Sequence, residues 1–304
     1  MPRRGEIRIG ISGWTYPPWR GKFYPETLPQ KKELSYAASI FRTIEINGTF
    51  YSLQRPEIFA KWAVATPDDF VFAVKGSRFI THVRRLKEVR APLANFFASG
   101  LLRLGPKLGP FLWQFPPNFK FDAKRLESFF KLLPRDTQAA QALARRHDKR
   151  VSGRAWMKPA EHRLLRHSIE IRNSSFVVPR FIELLREYGM ALACADTVEW
   201  PRLMDVTSDF VYCRLHGSEQ LYASGYDDRA LDAWAERVVA WASGAEPKDA
   251  VRVISKPGPK MAARDVFVYF DNDAKVRAPF DAQGLMARIE KLSAQRKPAS
   301  LASS

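Results

Sequence analysis

The sequence has little of several features that mark whole classes of protein. Its 304 residues include two cysteines, too few for a disulfide framework, and this favours a cytoplasmic location. Its apolar segments run for only a handful of residues, whereas a membrane helix needs about 20. The first ten residues are basic but contain no apolar stretch, so we expect neither a secretory signal nor a membrane partner.

Acidic residues are scarce relative to basic ones. Thirty-two Asp and Glu stand against 49 Lys and Arg, which gives a formal net charge of +17. Such an excess favours an anionic small molecule or a polyanionic partner, with nucleic acid first among them. Charge governs association rather than chemistry, and a need for colloidal solubility explains the basic excess equally well. Nothing in the sequence specifies an oligomeric partner.

Histidine is also scarce, and this bears on metal chemistry. Three of the five histidines lie in or just after a basic segment at residues 145–166, so a multi-metal centre is not expected at the strand ends. The sequence requires no cofactor, although one Mg²⁺ held by Glu45, Glu170 or Asp196 stays open. No glycine-rich nucleotide-binding turn follows any predicted strand.

What the sequence does contain is a repeated pattern of short apolar strands that end in charged or amide side chains. Residues 43–51, TIEINGTFY, show it best, because Ile44 and Ile46 alternate with Glu45 and Asn47 before a glycine ends the strand. The same reading predicts eight strands, at residues 7–11, 43–47, 70–75, 111–115, 168–172, 191–196, 210–216 and 266–270.

Helical patterns separate most of these strands. They cover residues 32–41, 57–65, 91–104, 123–133, 137–147, 179–188, 228–242 and 281–292. The alternation predicts an α/β fold of the (β/α)8 type, a TIM barrel, with a doubly wound open sheet as the alternative.

One domain would then cover residues 1–292. A basic, partly helical excursion at residues 136–166 precedes the fifth strand, and Asp281 is the expected N-cap of the last helix. Residues 293–304 are small and polar, which predicts a disordered tail.

In such a barrel the carboxyl ends of the strands meet at one mouth, where catalytic residues lie. Glu45, Glu170 and Asp196 come late in their strands and are candidate general acids or bases. Lys75 is a candidate Schiff-base amine, although neighbouring carboxylates would raise its pKa and disfavour that role. Each residue alone is more often a structural ion pair than a catalyst, but the group as a whole favours a site.

Other polar and aromatic residues near the strand ends are candidate ligand-binding residues. Arg172 and Arg214 would each clamp a phosphate or carboxylate through two hydrogen bonds. Aromatic rings beside basic loops are typical of sites that stack bases or sugars, although many rings only hold Pro-rich loops in place. The full set is Trp14, Asn47, Tyr51, His82, Gln114, Arg172, Arg214, His216, Tyr222, Tyr226 and Asn272.

The two cysteines are predicted to be buried packing thiols. Cys194 shares its parity with Asp196 and is expected to point into the barrel, whereas Cys213 is expected to point toward the helices. Neighbouring strands with opposed side chains cannot form a disulfide.

Several short motifs are typical of one known family. They include Gly13-Trp14 with Tyr16, Phe23-Tyr24-Pro25, Glu45-Ile46-Asn47 with Thr49-Phe50-Tyr51, Gln114 with Pro116-Pro117, Glu170 with Arg172, Arg214 with His216-Gly217, and Phe270 with Asn272. On these motifs the chain resembles the DUF72 (YecE-like) family of uncharacterised TIM-barrel proteins over residues 7–292.

The resemblance implies the barrel and a polar pocket but no established reaction. The fold is similar to endonuclease-IV-like and sugar-isomerase barrels, an analogy that suggests nucleic-acid or phosphosugar chemistry. The chain departs from the family pattern at Asn173, Phe176 and Asp271, where histidine, tryptophan and asparagine are common. These changes remove an imidazole and add a carboxylate.

Three functional hypotheses follow. The first is a barrel that binds an anionic, phosphorylated ligand or nucleic acid and hydrolyses phosphate esters by acid/base chemistry. The second is a non-catalytic nucleic-acid-binding protein that uses the basic residues at 78–90 and 145–166. The third is a phosphosugar isomerase or aldolase-like enzyme that uses Lys75.

Overall fold

A computed structural model describes residues 5–217 and 221–295, and its central feature is a closed barrel of eight parallel strands. The strands follow one another around the barrel in sequence order, and β1 pairs with β8 to close it. This confirms the predicted (β/α)8 fold. The strands are β1 (Ile7–Ser12), β2 (Thr43–Ile46), β3 (Val71–Lys75), β4 (Leu108–Gln114), β5 (His167–Glu170), β6 (Ala191–Asp196), β7 (Phe210–Leu215) and β8 (Asp265–Phe270).

Helices surround the barrel because each buries one apolar face against the strands. Residues 197–209, all of which the structure describes, join β6 to β7 without a helix. The helices are α1 (Glu33–Ile40), α2 (Gly48–Tyr51), α3 (Pro56–Val64), α4 (Arg90–Ala98), α5 (Ala123–Leu132), α6 (Thr137–Ala144), α7 (Pro179–Glu187), α8 (Asp228–Ala242) and α9 (Ala278–Gln295), with a π-helical turn at Phe79–Val83. None in the described ranges is long and apolar enough to cross a membrane.

Two predicted helices have different bounds in the structure. The helix predicted at 91–104 ends at Ala98, because Gly100 takes a φ of 115° and starts a separate 3₁₀ segment, Leu101–Lys107. The last helix begins at Ala278, so Asp281 is not its N-cap. Residues 293–295 of the predicted tail are helical, and residues 296–304 lie outside the described part of the chain.

The basic excursion is attached to the barrel rather than projecting from it. Its helical part is α6, and the residues from 145 to 166 contain only turns and isolated bridges. The Trp156 backbone NH donates to the Ala98 carbonyl at 2.8 Å, and the Arg163 guanidinium donates to the Gly105 carbonyl at 3.0 Å. The excursion therefore covers one side of the helix layer.

The inside of the barrel is filled in layers. In the middle layer the rings of Tyr212 and Tyr269 lie 5.1 Å apart, and the Tyr269 hydroxyl lies 2.7 Å from Thr43 Oγ1. Gly10 faces this layer, where a Cβ would lie 1.8 Å from the Thr43 carbonyl oxygen, so only glycine fits. The next layer, which we call the top ring, takes one residue from near the end of β1 to β7 and the residue that follows β8: Ser12, Glu45, Lys75, Gln114, Glu170, Ala195, Arg214 and Asp271.

The side chains of strand β6 face the opposite sides of the sheet from those predicted. Its Ala193 and Ala195 face the barrel interior, while Cys194 and Asp196 face the helices. Cys194 is the register partner of Cys213 on β7, and both free thiols are buried in the same layer. The predicted inward direction of Cys194 is therefore wrong, and so is the conclusion that the two side chains diverge.

Candidate functional site

The floor of the mouth is built around one buried guanidinium, that of Arg214. It donates to Glu45 (Nη2–Oε1 3.0 Å), to Glu170 (Nη1–Oε2 2.8 Å) and to Asp271 (Nη2–Oδ2 2.7 Å), and Ser12 Oγ lies 3.2 Å from Nη2. The guanidinium attracts each of the three carboxylates, which offsets their mutual repulsion and part of the cost of burying their charges. Because all its nitrogens are engaged and none is exposed, Arg214 cannot clamp a phosphate as predicted.

The carboxylate of Glu45 is also fully engaged. Its Oε1 accepts from Ser12 Oγ at 2.5 Å, and its Oε2 accepts from the Tyr212 hydroxyl at 2.6 Å and from Arg214 Nε at 3.1 Å. Neither oxygen reaches the open mouth, since the residue is completely buried. The burial of Tyr212 and the nearby Glu45 charge raise the pKa of the phenol well above its usual value. This part of the floor holds its neighbours in position and does not face the solvent.

Glu170 bridges two arginines. Its Oε2 accepts from Arg214, and its Oε1 accepts from Arg172 Nε at 2.7 Å. These cations outweigh the cost of burial and hold the pKa of the Glu170 carboxyl well below its usual range. The guanidinium of Arg172 also lies 4.0 Å from the ring centre of Trp200 and is only 11% exposed. Arg172 therefore has a fixed position above the floor.

Lys75 differs from the other charged residues of the top ring. It is 8% exposed, its Nζ lies 4.7 Å from the centre of the Phe50 ring, and no described carboxylate oxygen lies within 4.0 Å of that nitrogen. Burial and the Arg214 charge lower the pKa of the Lys75 amine to about 8, despite the carboxylates of the floor. Glu45, Asp271 and Glu170 do raise this pKa, as expected, but burial and Arg214 outweigh them, so the net shift is downward.

A cavity of about 600 Å³ opens above this floor. Lys75 and Asp271 reach it from below, and Asn47 and Gln54 add amides to its wall. The ring of Trp14 meets that of Trp62 edge-on at 5.1 Å, which fixes one side. Among the residues that the structure describes, five aromatic ones line the cavity: Trp14, Tyr16, Tyr51, Trp62 and Tyr222.

The acidic side of the cavity comes from the end of β8. Arg214 and His216 hold the pKa of the Asp271 carboxyl well below its usual range. Asp273, two residues later, also lines the cavity, and burial together with the Asp271 charge raises its pKa to about 6. The Tyr16 hydroxyl donates to the Ser12 carbonyl at 2.6 Å and interacts with Asp273.

The opposite side of the mouth is basic. His82 lies on the π-helical turn, with its Nδ1 2.8 Å from Thr81 Oγ1. Burial, together with the nearby charges of Arg172, Lys75 and Arg78, lowers the pKa of His82 to about 4. The mouth is therefore polarised, with cations on the β3–β5 side and carboxylates on the β8 side.

His216 lies between the two sides. Its Nδ1 is 3.2 Å from Asp271 Oδ2, and its ring meets that of Tyr222 edge-on at 5.3 Å. Burial and the adjacent Arg214 lower the pKa of the imidazole. Both effects favour the neutral form of His216.

Three predicted site residues lie behind the mouth. Asp196 accepts from Trp234 Nε1 of α8 at 3.0 Å and from Arg202 at 2.9 Å. The Tyr226 hydroxyl accepts from the Gly217 backbone NH, and Asn272 donates to the Ser224 carbonyl and to Asp281. These contacts join Gly217 to Tyr226, and the end of β8 to Ser224 and α9. The structure therefore corrects the placement of Asp196, Tyr226 and Asn272 at the mouth.

The other predicted residues do lie in or next to the mouth. Asn47 donates to Ser12 Oγ at 3.0 Å, and Gln114 completes the top ring beside Glu170. The side-chain oxygens of Asn47 and Gln114 are buried and accept no hydrogen bond from the described residues. Asp271 and Asp273 were not predicted as site residues, although both continue the inward parity of β8 and the run Asp-Asn-Asp directly follows that strand.

The carboxylates proposed for Mg²⁺ have other partners. Glu45 and Glu170 are bound to Arg214, and Asp196 is bound to Arg202 and Trp234. Within residues 5–217 and 221–295, no three His, Cys, Asp or Glu side chains are grouped so that they could hold a metal ion.

Comparison with known proteins identifies the family. The family model described as "Protein of unknown function DUF72" matches residues 8–302. The chain belongs to the DUF72 family. Relatives include the UPF0759 protein YecE of Escherichia coli K12, 30% identical over 113 residues, which are 37% of this chain and 39% of YecE. The UPF0759 protein YunF of Bacillus subtilis is 31% identical over 124 residues, which are 39% of this chain and 42% of YunF.

Each alignment thus spans about two-fifths of a curated DUF72 relative. Solved structures match over far more of the chain. A DUF72 family protein from Thermotoga maritima aligns over 94% of this chain and 99% of its own, with a TM-score of 0.68 and 23% identity. One from Enterococcus faecalis aligns over 93% and 95%, with a TM-score of 0.66 and 18% identity. These likenesses show the DUF72 barrel, and they say nothing about a ligand or a reaction.

Proposed function

We propose that the barrel is an enzyme whose mouth takes a small polar ligand with an anionic group, most simply a phosphate ester, and acts on it by acid/base chemistry. The observation that carries this proposal is the Lys75 amine, which faces the cavity and has no carboxylate partner among the described residues. A buried ammonium that has lost its hydration needs a counter-charge. An anionic ligand group would supply it.

Arg172 would be the second group that holds the anion. Only its Nε has a hydrogen-bond partner in the described part of the chain, and stacking on Trp200 fixes the plane of the guanidinium. A fixed planar fork suits the oxygens of a phosphate or carboxylate. Lys75, Arg78 and Arg172 are close enough together to depress the pKa of His82, which supports one basic subsite.

Asp273 is the group best suited to proton transfer. Asp271 stays ionised beside Arg214, whereas Asp273 has a pKa of about 6 and lines the cavity. Two carboxyl groups whose pKa values are pushed apart are typical of an acid/base pair. In ester hydrolysis, ionised Asp273 would take a proton from water as that water attacks phosphorus. The departing alkoxide oxygen would take its proton from water on the opposite side of phosphorus, and the protonated carboxyl would release its own proton to solvent.

Glu45 and Glu170 receive a different role from the predicted one. Their oxygens are occupied by Arg214, Arg172, Ser12 and Tyr212 and are completely buried. We assign them to positioning Arg214, which in turn fixes the ionised state of Asp271.

A second candidate function rests on the pKa of Lys75. With a value of about 8, about a tenth of the amine is uncharged at pH 7, and that fraction is nucleophilic. It would attack a carbonyl carbon, lose water and form an iminium ion, as in an aldolase. Borohydride would reduce that adduct to a stable secondary amine, and mass spectrometry would locate it.

Thermal shift with inorganic phosphate and a panel of phosphosugars tests the first proposal. We expect the midpoint to rise with at least one phosphate monoester, because a ligand that binds only the folded state stabilises it. The rise should be lost in Lys75→Met and kept in Lys61→Met, which removes an exposed lysine of α3. A rise of equal size in both variants, or none with any anion, contradicts an anionic ligand at this amine.

The proton-transfer role needs a separate measurement. Turnover of the ligand found by thermal shift should be lost in Asp273→Asn, while the rise in midpoint persists. Full turnover in that variant would remove Asp273 from the mechanism without touching the anion subsite.

A further inference from the structure

A second cavity, of about 330 Å³, lies next to the mouth. Tyr51 lines both cavities, so the two are adjacent. The second one is bounded by the π-helical turn, by α4 and by the basic excursion, and Ser77, Phe79, Asn95 and Arg150 contribute to its wall. Nothing in the proposed reaction uses it.

Two large aromatic side chains of this cavity are exposed. Tyr51 is 69% exposed and Phe79 is 39% exposed, although both are large enough to contribute to a core. The guanidinium of Arg150 lies 5.8 Å from the centre of the Phe79 ring. An exposed ring with a cation beside it is the arrangement that stacks planar, electron-rich groups.

The cavity is also where two basic segments meet. Residues 78–90 and 145–154 are more than 50 positions apart in the sequence, and together they hold ten Lys and Arg against two acidic residues. Phe79 of the first segment contacts Arg150 of the second, and the Asp148 backbone NH donates to Asn95 Oδ1 on α4 at 2.9 Å. The exposed cations of this surface are Arg78, Lys87, Arg90, Arg145, Arg146, Lys149, Arg150 and Arg154.

The first basic segment is held in an unusual backbone conformation. It begins with a π-helical turn, and such turns are frequent at functional sites. Arg85, Leu86 and Glu88 then take left-handed φ values of 50°, 65° and 51°. The buried side chains of Leu86 and Val89 anchor the segment, so its basic residues are directed outward.

The geometry points to a binding site for single-stranded nucleic acid, in which one base enters the second cavity and stacks on Phe79. The phosphates on either side would lie along the basic surface formed by residues 78–90 and 145–154. Charge of one sign along a surface suits a polyanion, and an exposed ring in a cavity suits an unpaired base. A duplex offers no free base face, and an acidic peptide offers no planar ring to stack.

This site goes beyond the proposed reaction and does not depend on it. Because Tyr51 belongs to both cavities, a strand bound at the second cavity would pass the mouth. Because Lys75 does not line the second cavity and Phe79 does not line the first, Lys75→Met should leave strand binding unchanged, while Phe79→Ala should leave the thermal shift with phosphate esters unchanged. Failure of one proposal is thus distinguishable from failure of the other.

Fluorescence anisotropy with a labelled 20-nucleotide oligo-dT, its RNA equivalent and a duplex of the same length tests the inference. We expect the single strands to bind more tightly than the duplex. Phe79→Ala should weaken single-strand binding on the order of tenfold, from the usual contribution of one stacked base, and Phe79→Tyr should restore it. Phe280→Ala, which removes an exposed ring on α9, should have no effect.

A matched pair of arginine variants tests the electrostatic contribution to strand binding. Arg150→Gln should reduce the slope of log affinity against log salt by about one, whereas Arg229→Gln on α8 should not change it. Equal effects of the two arginine variants, or full affinity in Phe79→Ala, would overturn the site in favour of diffuse charge attraction. Binding of poly-glutamate as tight as that of the oligonucleotide would overturn it as well.

Discussion

The guanidinium of Arg214 and the carboxylate of Glu45 form a two-point ion pair in which both side chains are completely buried, with distances of 3.0 and 3.1 Å. The two residues are 169 positions apart in the chain and lie on β2 and β7, on nearly opposite sides of the barrel. The pair therefore connects strands that form no backbone hydrogen bonds with each other.

The pair predicts a large effect of Glu45→Gln on stability. The substitution leaves buried Arg214 with less compensating charge, and breaking a buried ion pair typically costs about 3–5 kcal/mol. Urea unfolding should show a free energy of unfolding lower by roughly that amount, with an unchanged m-value. Glu236→Gln, the same change at an exposed position of α8, should stay within about 0.5 kcal/mol of the parent.

Because the pKa of Asp273 is raised in the folded protein, we expect the free energy of unfolding to fall as the pH rises through that pKa. Its pKa in the folded protein is about 6, above the ordinary value of about 3.9, so the folded state binds this proton more tightly. Stability from this group is present below about pH 4 and is lost as the pH rises through about 6. Asp273→Asn should be more stable than the parent at pH 7, on the order of 1 kcal/mol, and the gain should vanish below pH 4.

The control for that measurement is Asp68→Asn, since Asp68 is fully exposed. Its stability curve should run parallel to that of the parent. A gain in Asp273→Asn that stays constant from pH 4 to pH 8 would show that the residue titrates normally.

Lys75 predicts an amine that titrates far below other lysines. After reductive methylation with ¹³C-formaldehyde, one resonance should titrate near pH 8, against about 10.4 for exposed lysines, and it should be missing in Lys75→Met. Inorganic phosphate should raise this midpoint, because an anion stabilises the ammonium form. A midpoint above 10 without phosphate would mean that the amine has a carboxylate partner.

The cysteine pair predicts unreactive thiols. Burial and the adjacent Cys194 raise the pKa of the Cys213 thiol well above its usual value, so little thiolate forms. Ellman's reagent should modify neither cysteine in the native protein and both after denaturation in guanidinium. Rapid modification of the native protein would contradict the burial of the β6–β7 face.

Sequence periodicity predicts much of this structure, and its failures have physical causes. Glu45 and Arg214 were placed inward correctly, because each alternates with apolar residues that pack against helices. In β6 the sequence ALACAD is small or apolar at both parities except for its last residue, so alternation could not set the phase. Pairing with β7 sets it instead and turns Asp196 toward α8.

The sequence also could not show that buried partners occupy every hydrogen-bond donor of the Arg214 guanidinium. An arginine at a strand end suggests an anion clamp until the barrel closes and brings three carboxylates around it. Alternation does place Asp271 and Asp273 at the mouth, because both continue the inward-facing positions of β8 beyond Phe270. Their opposed pKa values depend on burial and on Arg214, which only the folded chain supplies.

The floor of the mouth and its walls come from different parts of the chain. The floor belongs to the strands and is fixed by the Arg214 contacts, whereas Trp14, Tyr51 and Tyr222 come from the segments that follow β1, β2 and β7. Substitutions in those segments would change which ligands the cavity accepts without weakening the Arg214 contacts of the floor. Such a division makes the protein a suitable starting scaffold for laboratory evolution of new substrate preferences.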